Sequence, residues 1–310
     1  MAQHPARRLG RRLTVVFGGL TILLLAGCID YQEGLFASIE REERIPESNL
    51  PKESSVFGMV RAGGKYFVSV GKLHERGVAG GDWDSIGPPP GFNDSLAIDI
   101  VDVGGTIYVA YNEYELGSSG VFTLDPATNS WSSGNLYTGG LQITDLFAID
   151  TDDDGTADEL FAAVLDSGNN YDLLFDDGSP DWLTVVDNEP RIIAGTYVTS
   201  GNHGFPANRY VFLSRARAHI GDAATLAALD TPAEPSTIDP VFQDNEDFGG
   251  ILYDNGATGT TNDDLYISSR QGHIYYSDGS SWTKSTTDDD RPYTGMQWVP
   301  ELDGGDGGVA

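Results

Sequence analysis

The chain has 310 residues and is strongly acidic, with 47 Asp and Glu against 18 Lys and Arg and a formal net charge of −29. This charge excludes nucleic acid as a partner, because affinity for nucleic acid depends on neutralising phosphates with Lys and Arg. The single cysteine, Cys28, excludes disulfides within the chain and metal sites built from several cysteines. An apolar core must therefore hold the protein together, and a chain of this length is long enough to bury one.

The first 27 residues have the pattern of a signal peptide. Four arginines and no acid lie among residues 1–12, residues 13–25 are almost entirely apolar, and the small residues Ala26 and Gly27 follow. A basic start, a short apolar stretch and small residues at a cleavage point are typical of secretion signals. The apolar stretch is shorter than the roughly 20 residues that a membrane-spanning helix needs, which disfavours the alternative of an uncleaved anchor helix.

The segment Leu25-Ala26-Gly27-Cys28 resembles the lipobox of bacterial lipoproteins. In that family the cysteine thiol is alkylated with diacylglycerol, the peptide is cut before the cysteine, and the new amine is acylated. The resemblance implies a signal peptide over 1–27, a lipid anchor of the palmitate type at Cys28, and a place in the cell envelope, either periplasmic or at the cell surface. Cleavage takes the formal net charge from −29 to −33, because residues 1–27 carry four arginines and no acid. Such a charge disfavours attraction to anionic lipid, so the acyl chains must attach the protein, at about 0.8 kcal/mol per buried CH₂.

Residues 28–53 form a polar segment with prolines at positions 46 and 51, and we predict a tether that begins at the lipidated cysteine. One short strand or helix is predicted within it, at Leu35–Ile39. Beyond the tether, residues 54–310 contain short apolar runs separated by Gly, Asn, Asp and Ser, without a long helical period. This pattern predicts one all-β domain.

A three-part pattern of strands recurs five times in this domain, at a spacing of about 40 to 55 residues, which is typical of repeated β-units. In each unit an apolar first strand precedes a tight polar turn, and a second and a third strand follow the turn. The predicted first strands are Val56–Val60, Leu96–Val103, Ile143–Ile149, Ile192–Val198 and Ile251–Tyr253. Equivalent residues of the second strands are Tyr66, Ile107, Leu160, Tyr210 and Leu265. Four units have a late tryptophan, at Trp83, Trp131, Trp182 and Trp282, whereas the fourth unit has a longer loop at Thr225–Ile238.

Four short strands in each unit predict a β-propeller, because a single blade exposes apolar faces that only neighbouring blades can cover. The predicted blades span residues 54–95, 96–140, 141–191, 192–247 and 248–291, and residues 292–310 predict an incomplete sixth blade. The pattern resembles the broad class of bacterial propeller proteins that includes kelch-like and sialidase-like repeats. A β-sandwich, or a β-fold without repeats, is the alternative.

An acidic loop between two predicted strands has the spacing of a calcium site. Acids occupy loop positions 1, 3, 5 and 9, a glycine occupies position 6, and a backbone carbonyl is available at position 7, which together form a cage of oxygen atoms. The loop resembles the calcium loop of FG-GAP propeller repeats, as in integrin-type blades. The resemblance implies one structural Ca²⁺ held by the side chains of Asp150, Asp152, Asp154 and Asp158 and the carbonyl of Thr156. A solvated acidic turn is the alternative, because Asp and Gly are favoured in turns.

The sequence leaves three classes of function open. The histidines are isolated, and no His-Glu-x-x-His or Gly-x-Ser-x-Gly motif is present. We favour a non-catalytic, membrane-anchored propeller that acts as a binding or scaffold module for a protein or carbohydrate ligand. A glycan-active hydrolase would need a pair of carboxylates that the sequence does not locate. A structural surface protein, whose acidic domain supports the cell boundary in salt, is the third class.

Overall fold

The structure is a computed structural model, and it describes residues 56–113, 118–132, 134–152, 154–199, 205–222, 229, 232–233, 242, 247–254, 264–279, 281–286, 298–299 and 308–309. The signal peptide (1–27), Cys28, the tether (28–53) and its segment Leu35–Ile39 lie outside these ranges, so they remain predictions. Most of the loop Thr225–Ile238 also lies outside them. Within the described ranges, no helix has the length and apolar character needed to cross a membrane.

In the part of the chain that the structure describes, twenty strands form five antiparallel sheets, and each of these sheets contains four strands that follow one another in strand order. The first sheet contains β1 (Gly58–Ala62), β2 (Lys65–Ser69), β3 (Leu73–Gly77) and β4 (Asp84–Ile86). The second contains β5 (Ser95–Val103), β6 (Thr106–Glu113), β7 (Ser119–Asp125) and β8 (Ser130–Trp131). The third contains β9 (Gln142–Ile149), β10 (Glu159–Leu165), β11 (Tyr171–Phe175) and β12 (Leu183–Glu189).

The last two full sheets continue the same order. The fourth contains β13 (Ile192–Val198), β14 (Arg209–Ser214), β15 (Ala218–Gly221) and β16 (Pro232–Ala233). The fifth contains β17 (Phe248–Asp254), β18 (Asp264–Ser269), β19 (His273–Ser277) and β20 (Trp282–Thr286). Among the described residues of the C-terminal region, a further sheet contains the two strands β21 (Trp298–Val299) and β22 (Gly308–Val309), within the predicted sixth blade.

The first strands of the five sheets lie next to one another in chain order. Strand β1 contacts β5, β5 contacts β9, β9 contacts β13, and β13 contacts β17. Each sheet therefore presents its first strand to a common axis, as the blades of a propeller do. We call these five strands the inner strands, and we number the sheets as blades one to five.

The apolar core lies between successive blades, because the strands bury both of their faces. In β6, Ile107, Val109 and Tyr111 pack against residues of the first blade, whereas the alternate residues Tyr108 and Ala110 pack towards the third blade. Side chains alternate between the two faces of a strand, so one apolar strand can serve both interfaces. Similar clusters join blade three to blade four and blade four to blade five.

Two of the late tryptophans tie their blade to the preceding one. The indole Nε1 of Trp131 donates a hydrogen bond to the carbonyl oxygen of Gly87 at 2.8 Å. The indole Nε1 of Trp182 donates in the same way to the carbonyl oxygen of Leu136 at 3.0 Å. Both acceptors follow the fourth strand of the preceding blade, so the repeated tryptophan joins the outer part of one blade to the next.

Candidate functional site

The inner strands of blades two to five share a β-bulge at one equivalent position. The extra residues are Ile98, Thr144, Ile193 and Gly249. A bulge changes the direction of the side chains next to it. The residues that follow the bulges are Asp99, Asp145, Ala194 and Gly250, and all four line one cavity. Two acidic and two small residues therefore share one level of the propeller.

This cavity has a volume of about 540 Å³ and is lined by the inner strands of blades two to five. We call it the axial cavity. Besides the two aspartates, much of its wall is apolar and includes Val101, Leu146 and Ile251. A cavity of several hundred Å³ whose wall combines apolar side chains with a few polar groups is typical of ligand sites in proteins.

Asp99 is held in place by two backbone amides. Its Oδ1 accepts a hydrogen bond from the N–H of Ile100 at 2.8 Å, and its Oδ2 accepts one from the N–H of Leu146 at 2.9 Å. Burial, together with the nearby negative charge of Asp145, nevertheless raises the pKa of Asp99 to about 7, against the effect of the two amides. This carboxyl group therefore titrates near neutral pH.

Asp145 is paired with a cation. Its Oδ1 and Oδ2 lie 3.0 Å and 3.3 Å from Nη2 of Arg191. Burial raises the pKa of Asp145, and the ion pair with Arg191 opposes this rise only in part. The side chain of Arg191 is 43% exposed, so one side of the pair faces solvent.

A second, smaller cavity of about 170 Å³ adjoins the first, with which it shares Asp145, Ile193 and Gly249. Three arginines line it, and we call Arg191, Arg215 and Arg270 the arginine mouth. Arg215 directly follows β14 and Arg270 directly follows β18, so they occupy equivalent turns of blades four and five. Three of the 18 basic residues of a very acidic chain therefore surround one small cavity.

Neither the aspartate pair nor the arginine mouth was predicted from the sequence. One signal was available: Asp99 and Asp145 each interrupt an apolar strand, in the runs Ile98-Asp99-Ile100 and Thr144-Asp145-Leu146. A carboxylate inside an apolar strand is costly unless it is paired or hydrogen-bonded, so its position deserves explanation. The arginines carried no such signal, since they lie in separate turns.

The structure brings three of the predicted calcium ligands together. Ligand atoms of Asp150, Asp152 and Asp154 all lie within 4.8 Å of one another, which fits a hard cation. Gly155, at the predicted bend, has a φ of 83° that favours glycine. Asp158 does not join this group, because its two oxygens accept hydrogen bonds from N and Oγ1 of Thr151 at 3.1 Å and 2.6 Å.

Thr156 lies beside the three grouped aspartates and is exposed. Its backbone N–H donates a hydrogen bond to Oδ1 of Asp154 at 2.8 Å. The N–H of Gly155 similarly donates to Oδ2 of Asp150 at 2.8 Å. Backbone donors thus satisfy part of the negative charge of this loop.

Comparisons with known proteins identify the fold. The sequence matches no protein-family model and no curated protein. Among solved structures, YCF48 bound to a D1 peptide is similar, with a TM-score of 0.50 and 11% identity over 79% of this chain and 71% of that one. The described domain is a β-propeller. The predicted fold is thereby confirmed, whereas a likeness at this identity shows the fold alone.

Two further solved structures have lower scores. A nidogen/laminin complex has a TM-score of 0.46 and 10% identity over 78% of this chain and 84% of that one. BBS1N in complex with ARL6DN has a TM-score of 0.49 and 8% identity over 76% of this chain and 67% of that one.

Proposed function

We propose that this protein is a lipid-anchored extracytoplasmic lipoprotein whose propeller binds a protein ligand at the axial cavity without catalysing a reaction. The anchor rests on the sequence, in which a basic and apolar leader precedes the lipobox-like cysteine at position 28. The acidic domain offers no attraction to anionic lipid, so an acyl chain is the consistent form of attachment.

One observation carries the binding function: charged side chains are concentrated where the inner strands meet. Asp99, Asp145 and Arg191 occupy the wall of the axial cavity or its entrance. Removing charges from water costs free energy that an apolar wall would not incur. Perturbed carboxyl groups in a cleft are typical of functional sites, and here they face a cavity that is large enough for a ligand.

A protein ligand fits the fold better than a small metabolite does. In the similar structure of YCF48, a propeller is bound to a peptide. That likeness shows only that the fold accommodates such a ligand. In this chain the apolar wall, with Val101, Leu146 and Ile251, suits side chains of a peptide more than it suits a hydroxyl-rich sugar.

A glycan-active hydrolase is the second candidate, and the aspartate pair favours it. Asp99, with a pKa of about 7, has the property of a general acid. Asp145 is paired with Arg191, which favours its ionised form. Two carboxyl groups with different environments are typical of glycoside hydrolysis. Turnover of a glycan that is lost in Asp99→Asn and in Asp145→Asn would establish this function in place of the first.

We further propose that the acidic loop binds one structural Ca²⁺ through Asp150, Asp152, Asp154 and the carbonyl of Thr156. The three carboxylates already lie together and repel one another, and a divalent cation relieves that repulsion. Asp158 completes the set only if it gives up its hydrogen bonds to Thr151.

A cavity-filling substitution tests the binding function. Ala194→Phe places a ring in the axial cavity, whereas Thr283→Phe adds the same ring to an exposed position on β20. We expect the full-length Ala194→Phe protein to lose the partners that wild type retains from native envelopes, and Thr283→Phe to keep them. Equal retention by both variants, with Ala194→Phe still folded by circular dichroism, would contradict binding at the axial cavity.

A further inference from the structure

The arginine mouth carries an excess of positive charge. Arg191 is balanced by Asp145, with 3.0 Å between Nη2 and Oδ1. The guanidinium groups of Arg215 and Arg270 have no ion-pair or side-chain hydrogen-bond partner among the residues that the structure describes, and both residues are exposed. Two unbalanced cations on so acidic a protein form a local site for an anion.

The backbone holds these two arginines next to each other. The N–H of Phe248 donates to the carbonyl oxygen of Arg215 at 2.8 Å, and the N–H of Arg270 donates to the carbonyl oxygen of Asp247 at 2.7 Å. A single dipeptide, Asp247-Phe248, therefore joins both turns. Fixing the two main chains in advance lowers the entropy that a ligand must remove when it binds both side chains.

The chemistry of the guanidinium group selects the kind of anion. Arginine presents a planar fork of N–H donors that matches a carboxylate with two parallel hydrogen bonds. The cavity of the arginine mouth is small, at about 170 Å³, which suits a single carboxylate better than a large polyanion. Gly249 lines both this cavity and the axial cavity, so the two lie next to each other.

The adjoining axial cavity indicates which kind of molecule carries this carboxylate. Its wall is apolar at Val101, Leu146 and Ile251, and it offers polar side chains at Asp99 and Asp145. The alkyl chain of a fatty acid has no hydrogen-bond donor to offer the two aspartates, and an acidic sugar would find few donors or acceptors on the apolar wall. A peptide presents both backbone N–H groups and apolar side chains.

We propose that Arg215 and Arg270 bind the free C-terminal carboxylate of a peptide, and that the apolar last side chain of this peptide occupies the axial cavity. The proposal rests on the proposed binding function and names its ligand. It requires a terminal carboxylate at the arginine mouth and backbone N–H groups near Asp99 and Asp145. A peptide whose terminus is amidated lacks the charge that the two arginines recognise.

The probe is a dye-labelled tetrapeptide, Gly-Ser-Gly-Leu, with either a free or an amidated C-terminus, measured by fluorescence anisotropy on the full-length protein. We expect saturable binding of the free acid and binding at least about tenfold weaker for the amide, since the amide lacks the negative charge that strengthens its hydrogen bonds to the guanidinium groups. Arg215→Gln and Arg270→Gln should each weaken binding of the free acid by a similar factor. Arg61→Gln removes the same charge from an exposed residue outside both cavities and should leave binding unchanged.

Hexanoate and glucuronate, added as competitors, distinguish the other sources of a carboxylate. The proposal is overturned if either acid displaces the peptide at lower concentration than the unlabelled peptide does. It is also overturned if acid and amide bind equally, or if no probe binds at millimolar concentration. In these cases, loss of envelope partners in Ala194→Phe would still support the proposed binding function, so the two failures are distinguishable.

Discussion

The carboxylate of Asp99 accepts a hydrogen bond from the backbone N–H of Leu146 at 2.9 Å, and this bond joins the inner strands of blades two and three. The first blade approaches the same carboxylate from its other side, since a Cβ placed on Gly58 would lie 2.2 Å from Oδ1 of Asp99. One side chain of the cavity wall thus contacts three blades. The site and the packing of the propeller depend on the same residue.

The raised pKa of Asp99 predicts a pH-dependent difference between wild type and Asp99→Asn. An acid whose pKa is higher in the folded state stabilises that state below its unfolded pKa, and this contribution is lost as pH rises through about 7. Asn cannot ionise, so the variant does not lose stability in this way as pH rises. It also leaves one of the amides of Ile100 and Leu146 without an acceptor, at about 1–3 kcal/mol.

We therefore expect Asp99→Asn to be less stable than wild type at pH 5, and the difference to shrink or reverse at pH 8. Urea denaturation at both pH values measures it. Asp82→Asn removes a carboxylate from an exposed position and serves as the control, with little change at either pH. A destabilisation by Asp99→Asn that is the same at pH 5 and pH 8 would show that Asp99 does not titrate in this range.

The hydrogen bonds of Trp131 and Trp182 to the preceding blade differ in burial, so replacing each tryptophan with phenylalanine should have unequal effects on stability. Trp182 is only 5% exposed, and its hydrogen bond to Leu136 is partly buried. Trp182→Phe should therefore lower the free energy of unfolding by about 1–3 kcal/mol, because the carbonyl loses its donor. In Trp131→Phe, water can replace the exposed bond to Gly87. Urea midpoints that shift equally in both variants would contradict this explanation.

The strands were predictable from sequence, because alternation and turn residues are local signals. The predicted strand Ile192–Val198 has the same bounds as β13, and the predicted strand Leu96–Val103 lacks only the first residue of β5. The first strand was less accurate, since Val56–Val60 was predicted and β1 is Gly58–Ala62. The residues of β1 are exposed or half-buried, so this strand gives a weaker apolar pattern in the sequence.

The candidate site was much harder to predict, for physical reasons. A bulge shifts the register by one residue, so alternation alone does not show which side chains face the axis. The positions of Asp99 and Asp145 depend on such bulges. Arg215 and Arg270 come together only when blades four and five pack. Trp182 has a φ of 51°, which is unusual for a bulky residue and depends on tertiary packing.

The proposed calcium site predicts that chelation lowers the melting temperature of the full-length protein. A ligand that binds only the folded state stabilises it by about 2.7 kcal/mol at a hundredfold excess over Kd. Calcium should restore the melting temperature better than magnesium, which requires a tighter octahedral site. Asp152→Ala and Asp154→Ala should abolish this response, and Asp82→Ala, an exposed acid outside the loop, should retain it.

General screening of negative charge is the rival explanation for a rescue by calcium. Sodium chloride at matched ionic strength separates the two effects, because screening depends on ionic strength and not on the identity of the cation. If sodium restores stability as well as calcium does, the loop is an acidic turn without a specific ion.

The proposed anchor predicts that Cys28→Ser abolishes metabolic labelling with a fatty acid. Without the thiol, diacylglycerol cannot be attached, and the protein should accumulate as an uncleaved or a soluble form. Labelling in growing cells, followed by separation of membrane and soluble fractions, measures both effects. Ser55→Cys in the Cys28→Ser background restores a thiol elsewhere and should not restore labelling. Persistent labelling of Cys28→Ser would remove the basis for the anchor.

Photo-crosslinking from the axial cavity tests the central claim most directly. A photoreactive amino acid replaces Ile193, which lines both the axial cavity and the smaller cavity at the arginine mouth. In a parallel strain, the same amino acid replaces Thr283 on the outer strand β20. The account predicts that irradiation of intact cells joins position 193, and not position 283, to one envelope protein, and that mass spectrometry places the link at the C-terminal end of that protein. The same crosslinks at both positions, or none at position 193, would contradict a ligand-binding propeller.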